Sequence, residues 1–224
     1  MMSENKQMMV PKDVVDRIAK SGIIAVLVID DVRDAVPVAQ TLLDNGIGGM
    51  ELTLRTDAAI ESLRAIRAAV PEMFAGVGTI LTKAQVKLAK DNGAAFGVAP
   101  GYNRAVVAAA IAAGLPFAPG IATPSEIEGA LSQGCRLIKY FHAEGMGGVE
   151  YLKGINAPYK HLGLKDIPLG GVSLANLRQY LAFKDIIAIG GSWIAPQELI
   201  KAKDWAAIAK NAREASAIFR EMRG

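Results

Sequence analysis

Short apolar segments recur along the chain, roughly 20 to 30 residues apart, and each ends in a turn rich in Gly, Pro or polar residues. Longer amphipathic stretches lie between them, for example at residues 57–70 and 103–113, where apolar residues recur three and four positions apart. The first pattern predicts buried strands and the second predicts helices that cover them. The eight apolar segments are residues 23–29, 49–55, 74–80, 94–100, 116–122, 136–142, 166–172 and 186–193.

Alternation of strand and helix predicts an α/β fold with a parallel sheet and right-handed crossovers. Eight such units in 224 residues fit a single closed (β/α)₈ TIM barrel, and residues 11–21 predict an extra N-terminal helix across its bottom. Residues 1–224 are expected to form one domain, with residues 1–9 as a frayed tail. A doubly wound dinucleotide-binding fold is the alternative, and it needs glycines after the first strand. Residues 28–31 are Val-Ile-Asp-Asp, which favours the barrel.

The composition argues against nucleic-acid and membrane partners and indicates a reducing compartment. A hydrophobic fraction of 51% suits a large buried core, and a net charge of +3 without a basic tract indicates no nucleic-acid partner. The apolar runs are interrupted well before the ~18 residues that a membrane span requires, so no membrane partner is expected. Cys135 is the single cysteine, which excludes an internal disulfide and is typical of the reducing cytoplasm.

The second apolar segment carries charged residues at alternate positions. Glu51, Thr53 and Arg55 share one face of the predicted strand, and apolar residues form the other face. Since the apolar face must meet the outer helices, Glu51 and Arg55 are expected to point into the barrel. Charged side chains are costly there unless they are paired or functional. A structural Glu51–Arg55 ion pair is one interpretation, but both residues lie toward the strand end where barrel enzymes place their chemistry, which favours a functional role.

Lys139 is the only lysine inside the eight apolar segments. It shares a strand face with Leu137 and Phe141, so burial strips its amine of water and favours the neutral, nucleophilic form. A neutral amine attacks carbonyl carbon, and the iminium that results withdraws electrons from a neighbouring carbon–carbon bond. Alternatively, the aliphatic stem packs while the amine reaches solvent or a carboxylate. Because Glu51 and Arg55 are predicted to face the same cavity, the covalent role is favoured.

Glycine pairs end the last two apolar segments, at Gly170-Gly171 and at Gly190-Gly191, where Ser192 follows. A single glycine pair is often only a tight turn. However, the loops after the seventh and eighth strands of a barrel commonly bind phosphate on exposed backbone N–H groups. Two pairs at these two positions predict a phosphate site. No cluster of His, Cys and carboxylate residues has metal-ligand spacing, so neither a metal nor another cofactor is expected.

Eight short motifs carry a resemblance to a known family. They are ELTLRT at 51–56, GVGT at 76–79, APG at 99–101, PGIAT at 119–123, IKYF at 138–141, AE at 143–144, GGVS at 170–173 and GGSW at 190–193. In this order, and over residues 15–220, the chain resembles the 2-keto-3-deoxy-6-phosphogluconate (KDPG) / 4-hydroxy-2-oxoglutarate (KHG) aldolase family. The resemblance implies a class I aldolase that cleaves KDPG to pyruvate and D-glyceraldehyde 3-phosphate, the last carbon-cleaving step of the Entner–Doudoroff pathway. It also implies a homotrimer without a metal.

The resemblance implies a role for each matching residue. Lys139 corresponds to the Schiff-base lysine, and Glu51 corresponds to the general acid and base. The pyruvate carboxylate site corresponds to Arg55, Thr79 and the backbone near Pro100. Phe141 corresponds to the apolar wall beside the iminium. The phosphate site corresponds to Gly170, Gly171, Gly191 and Ser192.

Two residues depart from the gluconate pattern. Leu169 stands where the KDPG branch usually has threonine, and the 2-keto-3-deoxy-6-phosphogalactonate (KDPGal) branch has an aliphatic residue there. His142 stands where proline is usual. KDPGal and KHG are therefore alternative substrates. A phosphosugar isomerase or epimerase without covalent chemistry is a more distant alternative, and a metabolite-binding barrel without activity is a third, which the presence of the matching site residues argues against.

Overall fold

Helices and strands alternate through residues 10–224, the part of the chain that the computed structural model describes. The tail predicted at residues 1–9 lies outside the described residues. The strands are β1 Ile23–Leu27, β2 Gly49–Thr53, β3 Phe74–Gly78, β4 Gly97–Val98, β5 Phe117–Ala118, β6 Gly120–Ile121, β7 Leu137–Tyr140, β8 Lys165–Pro168 and β9 Ile189–Gly191. The α-helices are α1 Lys12–Ser21, α2 Ala35–Asp44, α3 Ala59–Ala69, α4 Lys83–Asp91, α5 Arg104–Ala113, α6 Pro124–Ser132, α7 Gly148–Asn156, α8 Leu177–Leu181, α9 Gln197–Lys201 and α10 Trp205–Arg223.

The strands pair in parallel throughout, which confirms the predicted parallel α/β architecture. One sheet has the order β5-β4-β3-β2-β1-β9, and a second has the order β6-β7-β8. A parallel bridge between Asp166 of β8 and Ile186 connects the second sheet to the segment that leads into β9. The carboxyl ends of all the strands therefore lie on the same side of the molecule.

The predicted fifth strand, residues 116–122, is divided at Pro119. Phe117–Ala118 pairs with β4, whereas Gly120–Ile121 pairs with β7. Proline has no N–H group to donate to a neighbouring strand, which breaks the ladder at this residue. Its carbonyl still accepts a hydrogen bond from the Lys139 N–H at 2.9 Å. The chain thus passes from one sheet to the other at Pro119 and keeps its contact with the strand that carries Lys139.

Successive strand residues enter two different apolar clusters. Ile138 and Tyr140 belong to the large cluster between the sheets and the helices. Leu137 belongs to a smaller inner cluster, against which Phe141 packs. The predicted alternation along β7 is confirmed, because Lys139 lies between Leu137 and Phe141 on the inner face.

Helix α1 lies against the amino ends of the strands. Its Ile18 is buried in the inner cluster with Phe74 and Phe96. Its Arg17 places the guanidinium 4.6 Å from the centre of the Phe74 ring and donates a hydrogen bond to the carbonyl of Glu72 at 3.2 Å. The amino end of the interior is consequently filled with apolar side chains.

Asp166 is a fully buried carboxyl on the outer face of β8. Asn156, the last residue of α7, donates a hydrogen bond from Nδ2 to Asp166 Oδ2 at 2.6 Å. Within the described residues, the Oδ1 atoms of both side chains have no hydrogen-bond partner. Burial raises the pKa of Asp166 to about 7, an effect that Asp185 strengthens and that Asn156 and Lys165 oppose. Protonation makes one oxygen of Asp166 a hydrogen-bond donor and removes the cost of burying a charged carboxylate.

The stability of the fold is expected to depend on pH through Asp166. Because its pKa is higher in the folded chain than in the unfolded chain, its stabilising contribution is complete below pH ~4 and is lost as the pH rises through 7. The variant Asp166→Asn keeps the shape of the side chain and stays neutral at every pH. Between pH 5 and pH 8, the free energy of unfolding of wild type should therefore fall by about 3 kcal/mol relative to that of the variant. Urea unfolding of both proteins at the two pH values measures the difference, and an equal change in both would contradict the assignment.

Candidate active site

One open cavity of about 400 Å³ lies at the carboxyl ends of the strands. A cavity of this size accommodates a small metabolite. All the side chains and turns predicted from the sequence as site residues line it. They are Glu51, Arg55, Thr79, Pro100, Lys139, Phe141, Leu169, Gly170, Gly171, Gly191 and Ser192.

Lys139 and Glu51 form a buried ion pair in this cavity. The Lys139 Nζ atom lies 3.1 Å and 3.2 Å from the two carboxylate oxygens of Glu51. The side chains are only 6% and 3% exposed. Among the described residues Glu51 therefore forms its ion pair with Lys139, and the Glu51–Arg55 pair considered from the sequence is not present. An amine and a carboxylate in direct contact, largely shielded from water, can exchange a proton without a solvent intermediate.

Gly78, at the end of β3, provides the space for the Glu51 carboxylate. A side-chain carbon at Gly78 would overlap that carboxylate. Its strand lies beside β2, and Gly78 pairs in register with Thr53. Sequence reasoning assigned no role to this glycine, although a glycine inside a strand often marks a close approach of another group. Any larger residue there would displace the carboxylate from Lys139.

Arg55 is held at the cavity wall by β2. Its Nε donates a hydrogen bond to Thr53 Oγ1 at 3.2 Å, and Thr53 Oγ1 in turn donates to the carbonyl of Leu27 at 3.0 Å. This chain of bonds fixes the guanidinium plane. The terminal amino groups of a guanidinium have the two-pronged geometry that matches a carboxylate.

Thr79 adopts a backbone conformation that is unusual for a β-branched residue. Its φ angle is 59°, in the left-handed region. The next residue, Ile80, donates a backbone hydrogen bond to the carbonyl of Val98 at 3.2 Å, which anchors the segment. Strained backbone of this kind is concentrated at functional sites. The strain supports a role for Thr79 in ligand binding.

The turn after β8 has a conformation that requires glycine. The φ angles of Gly170 and Gly171 are 95° and 77°. Asn176 donates a hydrogen bond from Nδ2 to the carbonyl of Gly171 at 3.2 Å and accepts one from the Ser173 N–H at 2.8 Å. The turn is therefore fixed by the side chain that follows it. Backbone N–H groups in such a turn form an anion-binding concavity.

Neither a cluster of metal ligands nor a membrane-spanning helix is found in residues 10–224. Their His, Cys, Asp and Glu side chains form no group of three or more that could hold a metal ion. In the same residues no helix combines the length and the hydropathy that crossing a bilayer demands.

A family model and individual relatives of this chain both point to the same family of aldolases. Residues 14–211 match the sequence profile of KDPG and KHG aldolases. The chain is 38% identical to the 2-dehydro-3-deoxy-phosphogluconate aldolase of Haemophilus influenzae over 203 aligned residues. The aligned region covers 91% of this chain and 95% of that protein. The chain belongs to the KDPG and KHG aldolase family. As a family member the protein is a lyase, which confirms the expectation from the motifs.

Solved aldolase structures have the same fold. The KDPG aldolase of Legionella pneumophila, with pyruvate captured at low pH as a covalent carbinolamine intermediate, has a TM-score of 0.85 and 34% identity, over 89% of this chain and 96% of that chain. The KDPG aldolase of Zymomonas mobilis ZM4, with 3-phosphoglycerate, has a TM-score of 0.83 and 32% identity, over 91% of this chain and 95% of that chain. These similarities agree with the parallel α/β fold of this aldolase.

Proposed function

We propose that this aldolase cleaves KDPG to pyruvate and D-glyceraldehyde 3-phosphate through a Schiff base on Lys139. The contact between Lys139 and Glu51 carries the proposal, because a buried amine lies 3.1 Å from a buried carboxylate in a cavity open at the strand ends. The carbinolamine in the L. pneumophila relative shows that pyruvate is held covalently in that enzyme. The same chemistry at Lys139 needs only the groups that line this cavity.

The first half of the reaction forms the Schiff base. Lys139 transfers a proton to Glu51 and attacks C2 of the substrate, so that a carbon–nitrogen bond forms and the carbon–oxygen π bond breaks. Glu51 gives its proton to the oxygen, which becomes a hydroxyl, and takes a proton from the positively charged nitrogen. Protonated Glu51 then donates to this hydroxyl, which leaves as water and gives the iminium. The Phe141 ring, whose centre lies 5.6 Å from Lys139 Nζ, presents a π face that stabilises the positive charge.

The second half breaks the bond between C3 and C4. Glu51 is again a carboxylate and removes the proton of the C4 hydroxyl, while the bonding electrons move into the iminium and form an enamine. Glyceraldehyde 3-phosphate leaves. Glu51 returns the proton to C3, and hydrolysis of the resulting iminium releases pyruvate and restores the Lys139 amine. One carboxylate thus serves each proton transfer.

The substrate carboxylate is assigned to Arg55, Thr79 and the backbone near Pro100. Arg55 supports this assignment because its guanidinium is already oriented by Thr53. Thr79 supports it through its strained backbone at the cavity edge. The carboxylate lies next to C2, so this arrangement presents the ketone carbon to Lys139.

The substrate phosphate is assigned to Gly170, Gly171, Gly191 and Ser192. The left-handed conformation of Gly170 and Gly171 exposes backbone N–H groups, and Ser192 adds a hydroxyl at the same end of the cavity. The phosphorylated three-carbon ligand in the Z. mobilis relative is consistent with an anion site in that enzyme. Backbone amides bind phosphate oxygens without the need for a charged side chain.

We also propose that the two sheets complete one closed, eight-stranded barrel in a single domain, with α1 across its bottom. The support comes from the corner at Pro119 and from the bridge between Asp166 and Ile186, since these join the sheets on both sides. Ile18 of α1 in the inner cluster supports the position of the helix. An interior filled by strand side chains is characteristic of such barrels.

A homotrimer in the cytoplasm is proposed from the family and from the surface. Leu81, Leu88 and Ile111 are 51%, 43% and 46% exposed on or beside the neighbouring helices α4 and α5. Exposed apolar side chains on adjacent elements are suited to a subunit interface. A stable monomer in sedimentation at micromolar concentration would contradict the trimer.

The alternative functions place different demands on the cavity. An isomerase or epimerase without covalent chemistry has no use for the contact between Lys139 and Glu51. KHG has no phosphate, so it would leave the glycine turn after β8 and the glycines at the end of β9 without a phosphate to bind. KDPGal differs from KDPG at C4 and satisfies every contact assigned above, so it stays a second candidate substrate.

Pyruvate release from KDPG tests the proposed function. Purified protein is incubated with KDPG, KDPGal, KHG and unphosphorylated 2-keto-3-deoxygluconate, and pyruvate is followed by its reduction with lactate dehydrogenase. We expect turnover of KDPG at a higher kcat/KM than that of KHG or the unphosphorylated acid. Absence of pyruvate release from KDPG would refute the proposal.

Leu169 is expected to weaken discrimination between the C4 epimers. Its side chain is 5% exposed and fills space that a side-chain carbon at Gly190 would otherwise occupy. Leucine offers no hydrogen bond, whereas threonine could bond the C4 hydroxyl. Leu169→Thr should therefore shift the ratio of kcat/KM values toward KDPG over KDPGal by about tenfold, the size of one net hydrogen bond. An unchanged ratio would place selectivity elsewhere.

A further inference from the structure

His142 lies two residues after the end of β7 and lines the cavity. Its carbonyl accepts a hydrogen bond from the Met146 N–H at 3.0 Å. The next residues bind the turn after β8, because the Ala143 N–H donates to the carbonyl of Leu169 at 2.8 Å and the Glu144 N–H donates to that of Gly170 at 3.0 Å. The backbone that follows His142 is therefore fixed to the glycine turn.

The imidazole ring is oriented by its own loop. The Gly145 N–H donates a hydrogen bond to His142 Nδ1 at 3.3 Å, so the neutral ring carries its proton on Nε2. That Nε2 has no hydrogen-bond partner among the described residues. A side-chain carbon on Gly170 would lie 3.0 Å from Nε2, and one on Gly171 would lie 3.5 Å from Cε1. The ring therefore lies against the glycine pair, with Cγ and Cδ2 nearest to Gly170, Nε2 only slightly farther away, and Cε1 nearest to Gly171.

We propose that His142 Nε2–H donates a hydrogen bond to the substrate phosphate and is a specificity residue for phosphorylated substrates. The proposal rests on the proposed function, since it assigns the phosphate to Gly170 and Gly171. Ser192 is the only polar side chain among the lining residues 169–172 and 190–192, and His142, which lies against Gly170, adds a second polar side chain there. The Glu144 carboxylate, which lies beside the turn, is bound by the Tyr180 hydroxyl.

The hydrogen bond from His142 to the phosphate would be charge-assisted, and its donor is already oriented before the substrate binds. Hydrogen bonds to ionised groups are stronger than neutral ones. Since Gly145 fixes the ring, binding costs little side-chain freedom. The proline that the family resemblance implies at this position has no side-chain donor. This chain therefore has one phosphate contact more than the usual pattern.

Two variants and a matched control test the contact through kinetics. His142→Phe keeps a flat ring without the donor, and His142→Gln replaces the imidazole N–H with an amide N–H. His161→Phe changes the other of the two histidines, which lies in the 3₁₀ helix Ala157–Leu162 before β8. We expect His142→Phe to raise the KM for KDPG about tenfold while kcat changes little. The kcat/KM for the unphosphorylated acid should fall much less, His142→Gln should restore most of the loss, and His161→Phe should resemble wild type. Equal losses on both substrates would show a structural role and overturn the proposal.

Binding of inorganic phosphate tests the same contact without turnover. Titration calorimetry of wild type and His142→Phe with phosphate should show weaker binding by the variant, again by about tenfold. Equal phosphate affinity in the two proteins would overturn the proposal. Because this measurement needs no catalysis, a protein that binds phosphate through His142 but releases no pyruvate from KDPG would contradict the proposed function alone.

Discussion

Lys139→Arg is expected to lower pyruvate release from KDPG by a factor on the order of 10⁴ or more, because a guanidinium does not form the carbinolamine. Arginine keeps the positive charge beside Glu51, so the buried ion pair and the fold should persist. Pyruvate release measures the loss of activity, and circular dichroism with thermal unfolding shows whether the fold persists. A folded variant with substantial turnover would contradict covalent catalysis by this residue.

Covalent trapping identifies the lysine directly. Wild type incubated with pyruvate and borohydride should lose activity and gain the mass of one reduced pyruvate, located on Lys139 by peptide mapping. Lys165→Arg is a matched control, because Lys165 lies in the neighbouring strand β8 and pairs with Asp185 at 3.4 Å, outside the cavity. That control should still be trapped, whereas Lys139→Arg should not. Label on a peptide containing another lysine would refute the assignment.

Glu51→Gln is expected to lower kcat by roughly 10²–10⁴-fold. Glutamine keeps the size of the side chain and can still accept a hydrogen bond from Lys139, but it takes up no proton from the C4 hydroxyl. Schiff-base trapping with pyruvate should survive in part, because water can relay protons during carbinolamine formation. Exchange of the pyruvate methyl protons with deuterium, followed by NMR, should fall with kcat since it requires proton transfer at C3.

A surface variant controls for the loss of one charge. Glu150 is 79% exposed on α7 and pairs with Lys153, so Glu150→Gln should leave turnover and methyl exchange unchanged. Unchanged turnover in Glu51→Gln would mean that another group transfers the proton. A slow variant with normal methyl exchange would limit the role of Glu51 to carbon–carbon cleavage.

The alternation of residues along the strands predicted much of the site. Polar residues at positions 51, 53 and 55 and a single lysine in an apolar segment were sufficient to place Glu51 and Lys139 on inner faces, because side chains alternate in a strand whatever the surroundings. Glycine pairs after the last two apolar segments indicated where an anion could bind. These signals are local, and the structure places all of these residues around one cavity.

Other features depend on contacts between distant segments. Glu51 and Lys139 are 88 positions apart, and their 3.1 Å contact follows from how the strands pair rather than from either segment alone. The role of Gly78 depends on the Glu51 side chain of the neighbouring strand. The division of the fifth strand depends on its pairing with β4 before Pro119 and with β7 after it. The buried Asp166 was likewise not anticipated, because its partner Asn156 lies in a helix.

The ion pair between Lys139 and Glu51 also means that two buried side chains add little to the stability of this aldolase. The two charges lose much of their hydration on burial, a cost that the mutual attraction of a buried pair often only balances. Replacing both by apolar residues of similar volume, as in Glu51→Leu with Lys139→Met, is expected to be neutral or to stabilise the inactive protein by about 1–4 kcal/mol. Removing only one partner should instead destabilise it. Selection for thermal stability alone would not maintain the two charges, so their presence supports the catalytic roles proposed for Lys139 and Glu51.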